Sequence, residues 1–170
     1  TWTEVAQAAF LGLMRNLNSL QNSRKRINGS NSDEAWTHHI EGAAGEMAFA
    51  KWAGRYFTPT CNTFKVGGDG VGNVQVRTRL KQEYELYVRR DDRDDVPFVL
   101  VLGRCPTFTI RGWMLGRDAK QNPEWLKGHG GMEPAFFVPH ERLRPLEELR
   151  AGLEKSADLL PDARNVDTVK

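Results

Sequence analysis

Apolar residues recur at intervals of three and four through Val5, Ala9, Phe10, Leu13, Met14, Leu17 and Leu20. That is the period of one helix face, so the first twenty residues are predicted to form an amphipathic helix covering something apolar. Residues 21–33 are polar and turn-rich, with Ser23-Arg24-Lys25-Arg26 and Asn28-Gly29, and read as a basic loop. A second helix is expected from Asp33, as N-cap, through Trp36, Ile40, Ala43, Ala44 and Met47, stopping near Gly54. Gly42 and Gly45 lie inside it. An interior glycine costs a helix ~1 kcal/mol relative to alanine, so two of them predict close approach of another backbone.

After this helix the period changes to alternation. Residues 63–66, 74–77, 84–88, 98–102 and 107–113 read as strands, with a glycine-rich turn at 67–70 and a charged loop at 91–95 between them. Residues 118–126 look weakly helical despite Pro123, 135–138 form a short strand, and 141–153 a terminal helix interrupted early by Pro145. This order predicts an α/β (α+β) fold with a central mixed sheet flanked by helices. At 170 residues it fits one domain, placed at 1–155, with 156–170 as a fraying C-terminal tail.

Composition narrows the classes. Hydrophobic residues at 39% and charged residues at 27% are ordinary globular usage, which excludes a disordered chain. A formal charge of +2 does not itself announce a nucleic-acid partner, so local clustering has to do so. No window approaches the ~18 apolar residues of a membrane span, and signal-peptide features are missing, so no membrane association and a cytoplasmic location are expected. Two cysteines, Cys61 and Cys105, read as reduced thiols. Residues 67–72 lack the Lys-Ser/Thr ending of a phosphate-binding P-loop, and the acidic run at 91–95 lacks EF-hand spacing and reads as a solvated loop. His38 and His39 point about 100° apart on a helix and make a poor chelate.

Candidate chemistry gathers on the second predicted strand. Alternation puts Gln75, Arg77 and Arg79 on one face and Val74 and Val76 on the other. Asp69 precedes Gln75 by six residues across the glycine-rich turn, and Glu46, on the second helix, is expected to close the cluster from above. Phosphodiester hydrolysis calls for a divalent cation, and Mg²⁺ takes hard oxygen ligands. Glu46 and Asp69 would supply carboxylates, Gln75 its amide oxygen and Val76 its carbonyl, while Arg77 would hold the phosphate in its transition state. Arg24, Lys25, Arg26, His38, Arg79 and Lys81 would track the phosphates of a bound strand.

These residues resemble a known superfamily. Glu46 on a helix, then Asp69, then Gln75-Val76-Arg77 on a strand is similar to the PD-(D/E)XK nucleases, and the text around Glu41–Glu46 and Val76–Arg79 resembles small phage proteins of that kind. The resemblance covers residues 36–115 and implies a restriction-endonuclease-like core, Mg²⁺ (or Mn²⁺) as cofactor, DNA as partner and endo- or exonuclease activity, in the host cytoplasm if phage-encoded. Two positions depart from the motif. Gln75 stands where the family has Asp or Glu, which removes a charge from the metal site. Arg77 replaces the family lysine, and a guanidinium stays protonated, so it orients or stabilises charge but cannot act as a base.

Other readings stay open. With its motif charge reduced, the chain could be a nuclease-fold protein, without a metal, that binds nucleic acid or a protein partner. It could instead be a structural component of a virion or replication complex, assembling through its first and last helices, with homo-oligomerisation open in each case. Every candidate also has an ordinary explanation: Glu46 as a solvated helix carboxylate, Asp69 as a turn residue beside glycine, Arg77 and Arg79 on an exposed sheet face.

Overall fold

A computed structural model describes residues 1–22, 32–59, 73–128 and 133–158. The expected strand at 63–66, the glycine turn with Asp69, and the basic run Arg24–Arg26 lie outside these residues. Helices α1 (Trp2–Gln21) and α2 (Ser32–Trp52) come first, followed by strands β1 (Gln75–Arg79), β2 (Leu86–Arg89), β3 (Pro97–Arg104) and β4 (Thr107–Leu115). Then come a short helix α3 (Gly116–Lys120), strands β5 (Leu126–Lys127) and β6 (Ala135–Val138), and helix α4 (Leu146–Asp158). No helix among the described residues is long and apolar enough to cross a membrane.

The architecture is α+β. One sheet has the order β1-β3-β4, with β1 parallel to β3 and β3 antiparallel to β4, so it is mixed. A second, antiparallel sheet has the order β2-β6-β5. The central strand β3 explains the layering. Phe98, Leu100 and Leu102 join a core with Leu86 and Val88 of β2 and Phe136 and Val138 of β6. Val99 and Val101 point the other way and pack with Phe49 and Ala50 of α2, Val74, Val76, Trp113 and Leu149 of α4. A strand buried on both faces reads as a continuous apolar run, which is how Phe98–Leu102 appears in the sequence.

Three expectations change. Residues 118–126 are not one helix: α3 ends at Lys120, and Pro123, which has no N–H to donate, opens a separate 3₁₀ turn before β5. Pro145 does not interrupt the terminal helix but precedes its first residue, after a 3₁₀ turn at His140–Arg142. The largest change is in α1. Its inward face is Ala8, Leu11, Gly12 and Asn16, whereas Phe10, Leu13, Met14, Leu17 and Leu20, the stripe expected to cover the core, are exposed.

Small residues decide that choice. A Cβ on Gly12 would stand 2.5 Å from Ile40 Cα, so the two helices cross with their backbones nearly touching. Of the two glycines in α2, Gly45 bears out the close approach, though it meets a side chain rather than another backbone: its Cβ would fall 2.1 Å from Thr78 Oγ1 of β1. Gly42 faces open space.

Candidate functional site

β1 carries the polar row into the interior. Gln75 is paired with Phe98, Arg77 with Leu100 and Arg79 with Leu102, so these three side chains leave the sheet on the face that meets β2 and β6. Val76 and Thr78 leave on the face that meets α2. Gln75 is buried at its position beside Arg77, whose Nη1 donates to Gln75 Oε1 at 3.4 Å, the long limit of a hydrogen bond.

Arg77 is held from the charged loop. Its Nη2 donates to Asp92 Oδ1 at 2.9 Å and Oδ2 at 2.8 Å, and the Arg89 backbone N–H donates to the same carboxylate at 2.8 Å. The guanidinium lies 5.1 Å from the Tyr87 ring centre and 5.0 Å from that of Phe98. The run at 91–95, read as a solvated acidic loop, is therefore partly built into the protein. Asp92 binds Arg77, while Asp94 binds Lys120 at 2.7 Å.

Arg79 is held differently. Its guanidinium sits 4.5 Å from the Tyr84 ring centre and 5.2 Å from that of Tyr87, and no carboxylate among the described residues lies within ion-pair distance. Burial pushes its pKa below the ordinary arginine range, with Tyr87, Tyr84 and Glu85 acting in the opposite sense. Aromatic faces leave the edge N–H groups of a guanidinium available to an oxyanion.

Glu46 occupies another setting. It is buried, and Arg15 of α1 grips it through two parallel bonds, Nη1 to Oε1 at 2.6 Å and Nη2 to Oε2 at 2.7 Å. Such a forked pair joins the two helices and takes up both carboxylate oxygens. Arg15 was not singled out by sequence reasoning, although it is the one cation of α1. Close by, burial, Arg15 and His38 lower the pKa of His39.

A groove of about 810 Å³ opens along β1 between α2 and the second sheet. Arg77, Arg79, Lys81, Arg89, Arg104 and Lys127 line it, together with His38 and the rings of Tyr84, Tyr87 and Phe137. Five glutamates share the lining, so not every cation is open: Lys127 pairs with Glu85 at 3.0 Å and Lys81 with Glu83 at 4.0 Å. Arg104, like Arg79, has no carboxylate within ion-pair distance among the described residues.

The structure thus brings Gln75 beside Arg77 and puts His38, Arg79 and Lys81 on one groove, whereas neither Glu46 nor Gln75 lines it. Among the described residues, no three His, Cys, Asp or Glu side chains gather to hold a metal ion. Of the oxygen donors that a divalent ion would need, Glu46 binds Arg15 and Gln75 accepts from Arg77, and Asp69 lies outside the described residues. Tyr84, Tyr87, Asp92, Arg89, Arg104 and Lys127 were not anticipated as site residues. The tyrosines left no periodic signal either: Tyr84 and Tyr87 stand three residues apart, which strand alternation would put on opposite faces, and Tyr84 precedes the first residue of β2. Comparison with protein-family models, with curated proteins and with solved structures finds no match to this chain.

Proposed function

We propose that this protein takes a nucleic-acid strand, DNA in the first instance, along the groove beside β1, as a nuclease of the PD-(D/E)XK kind. The observation that supports this most directly is the placement of Arg79. It is a half-buried guanidinium held by two tyrosine rings, on a groove with five further cations and with no carboxylate of its own among the described residues. Phosphate oxygens fit such a planar donor edge, and desolvation strengthens the contact. Arg104 extends the phosphate path, and His38 flanks it from α2.

In a nuclease a divalent ion would supply a water of lowered pKa, with Asp69 among the residues holding it; Glu46, forked to Arg15 on the α2 side, and Gln75, turned to the other face of β1, do not meet in one donor set. Arg77 stays cationic at any working pH, so its part in that chemistry is electrostatic. A second reading, binding without cleavage, is favoured by the engagement of two motif residues: Glu46 is already forked to Arg15, and Arg77 donates through Nη2 to Asp92.

Fluorescence anisotropy on single- and double-stranded DNA tests the first step. Binding should weaken steeply with salt, and Arg79→Gln should lower affinity about tenfold and flatten the salt slope. Absence of binding at low salt would remove both readings. Incubating the same DNA with Mg²⁺ or Mn²⁺ separates them: cleavage abolished in Asp69→Ala and Glu46→Ala proteins that circular dichroism shows to remain folded supports the nuclease, whereas salt-sensitive binding with no cleavage leaves the second reading.

A further inference from the structure

Helix α1 has a seam, apolar from Ala6 onward, on the side turned away from the protein. Thr3, Ala6, Phe10, Leu13, Leu17 and Leu20 are all exposed, Phe10 by 65% and Leu20 by 53%. Their intervals run three, four, three, four, three, the alternation by which a and d positions line a coiled-coil contact. Trp2, 80% exposed, and Met14 widen the stripe. The inward residues Ala8, Leu11 and Gly12 are used on α2, so the seam is additional to the helix's role in the fold.

We propose that this seam is the contact with a second copy of the chain, α1 lying on α1 across a two-fold axis. Charge decides the occupant. In helix pairs, the residues flanking the seam select the partner through attraction or repulsion. Here the flanks are Trp2 and Ala9 on one side and Gln7, Met14 and Gln21 on the other, all uncharged. The two charged residues of α1 are engaged elsewhere, Glu4 with Lys51 and Arg15 with Glu46. Such a surface neither repels its own copy nor carries the charges that would pick a different helix.

Size agrees with this occupant. Side chains of this kind expose ~200 Å² when fully open, so Trp2, Phe10, Leu13, Met14, Leu17 and Leu20 together present on the order of 640 Å², most of the ~800 Å² per partner of a stable interface. A self-complementary patch closes as a two-fold dimer, the commonest symmetric assembly.

Phe10 and Leu13 lie at the middle of α1, so they meet their counterparts whether the paired helices run parallel or antiparallel. Sedimentation equilibrium of the 170-residue chain from about 1 to about 100 µM, a range that spans a micromolar Kd, should show a mass rising toward twice that of the chain. Phe10→Glu/Leu13→Glu and Phe10→Lys/Leu13→Lys should each raise the Kd by ~100-fold or more with far-UV circular dichroism unchanged, and an equimolar mixture should recover the dimer. If charge perturbs the helix, Leu13→Gln/Leu17→Gln should still weaken association. A wild type at single-chain mass throughout the range, a dimer indifferent to these substitutions, or folded charge variants that fail to pair when mixed would each overturn the proposal.

Discussion

The two faces of β1 are covered to nearly the same degree at its start, Val76 being 6% and Gln75 7% exposed, but by opposite means. On one face Val74 and Val76 meet Phe49 and Ala50 of α2, and burial is apolar. On the other, Arg77 and Arg79 are enclosed by Tyr84, Tyr87, Phe98 and the Asp92 carboxylate. Apolar packing is non-directional and tolerates no volume loss, whereas a buried cation persists only where specific partners surround it. The first face belongs to stability, and the second is where binding chemistry is expected.

The strongest way to break that contrast is to empty the apolar face. Phe49→Ala should destabilise the protein by about 3–5 kcal/mol, the loss expected for a fully buried aromatic, in urea or thermal unfolding. A loss below ~1 kcal/mol would show that α2 does not close this layer. On the polar face, Arg77→Ala should cost about 2 kcal/mol, because it strands Asp92 in a largely covered position. Arg77→Ala/Asp92→Ala should recover part of the loss. Additive losses in this cycle would mean that the pair is not coupled.

Gly45→Ala should be the next largest effect, about 1–3 kcal/mol, since the new methyl would meet Thr78 Oγ1 and Cγ2. Thr78→Ala should relieve some of it. Unchanged stability in Gly45→Ala would place β1 farther from α2 than it stands here.

The smallest effect concerns pH. Burial, Arg15 and His38 hold the pKa of His39 below its usual 6.5 when folded, so the unfolded chain binds this proton more readily. Its contribution to stability is therefore present above about 6.5 and is lost as pH falls below that value. His39→Gln should flatten the decline in thermal midpoint across that interval. A decline of equal slope in the variant would assign the effect to other groups.

Much of the scaffold was legible in the residues themselves. The change from helical to alternating period located both long helices and the strands β1, β3, β4 and β6, because side-chain direction follows directly from backbone geometry. The polar row Gln75, Arg77, Arg79 was visible for the same reason. Boundaries slipped most where proline and short turns compete, at 116–127 and 140–146, and also at β2, which begins at Leu86 rather than at residue 84, and at α2, which contains Asp33 rather than being capped by it.

What alternation cannot say is which of two faces turns inward, or which distant group meets it. In α1 the larger apolar residues looked like the buried stripe, yet the helix packs through Ala8, Leu11 and Gly12, since only a small face lets its backbone reach Ile40. Arg15 with Glu46 and Arg77 with Asp92 join residues 31 and 15 positions apart, and their hydrogen bonds demand a geometry set by helix crossing and strand register. The residues themselves determined the elements and the charge each carries. Tertiary packing decided which carboxylate each arginine holds and which cations stay open on the groove, because those outcomes depend on distances of a few ångströms between segments that the chain order leaves apart.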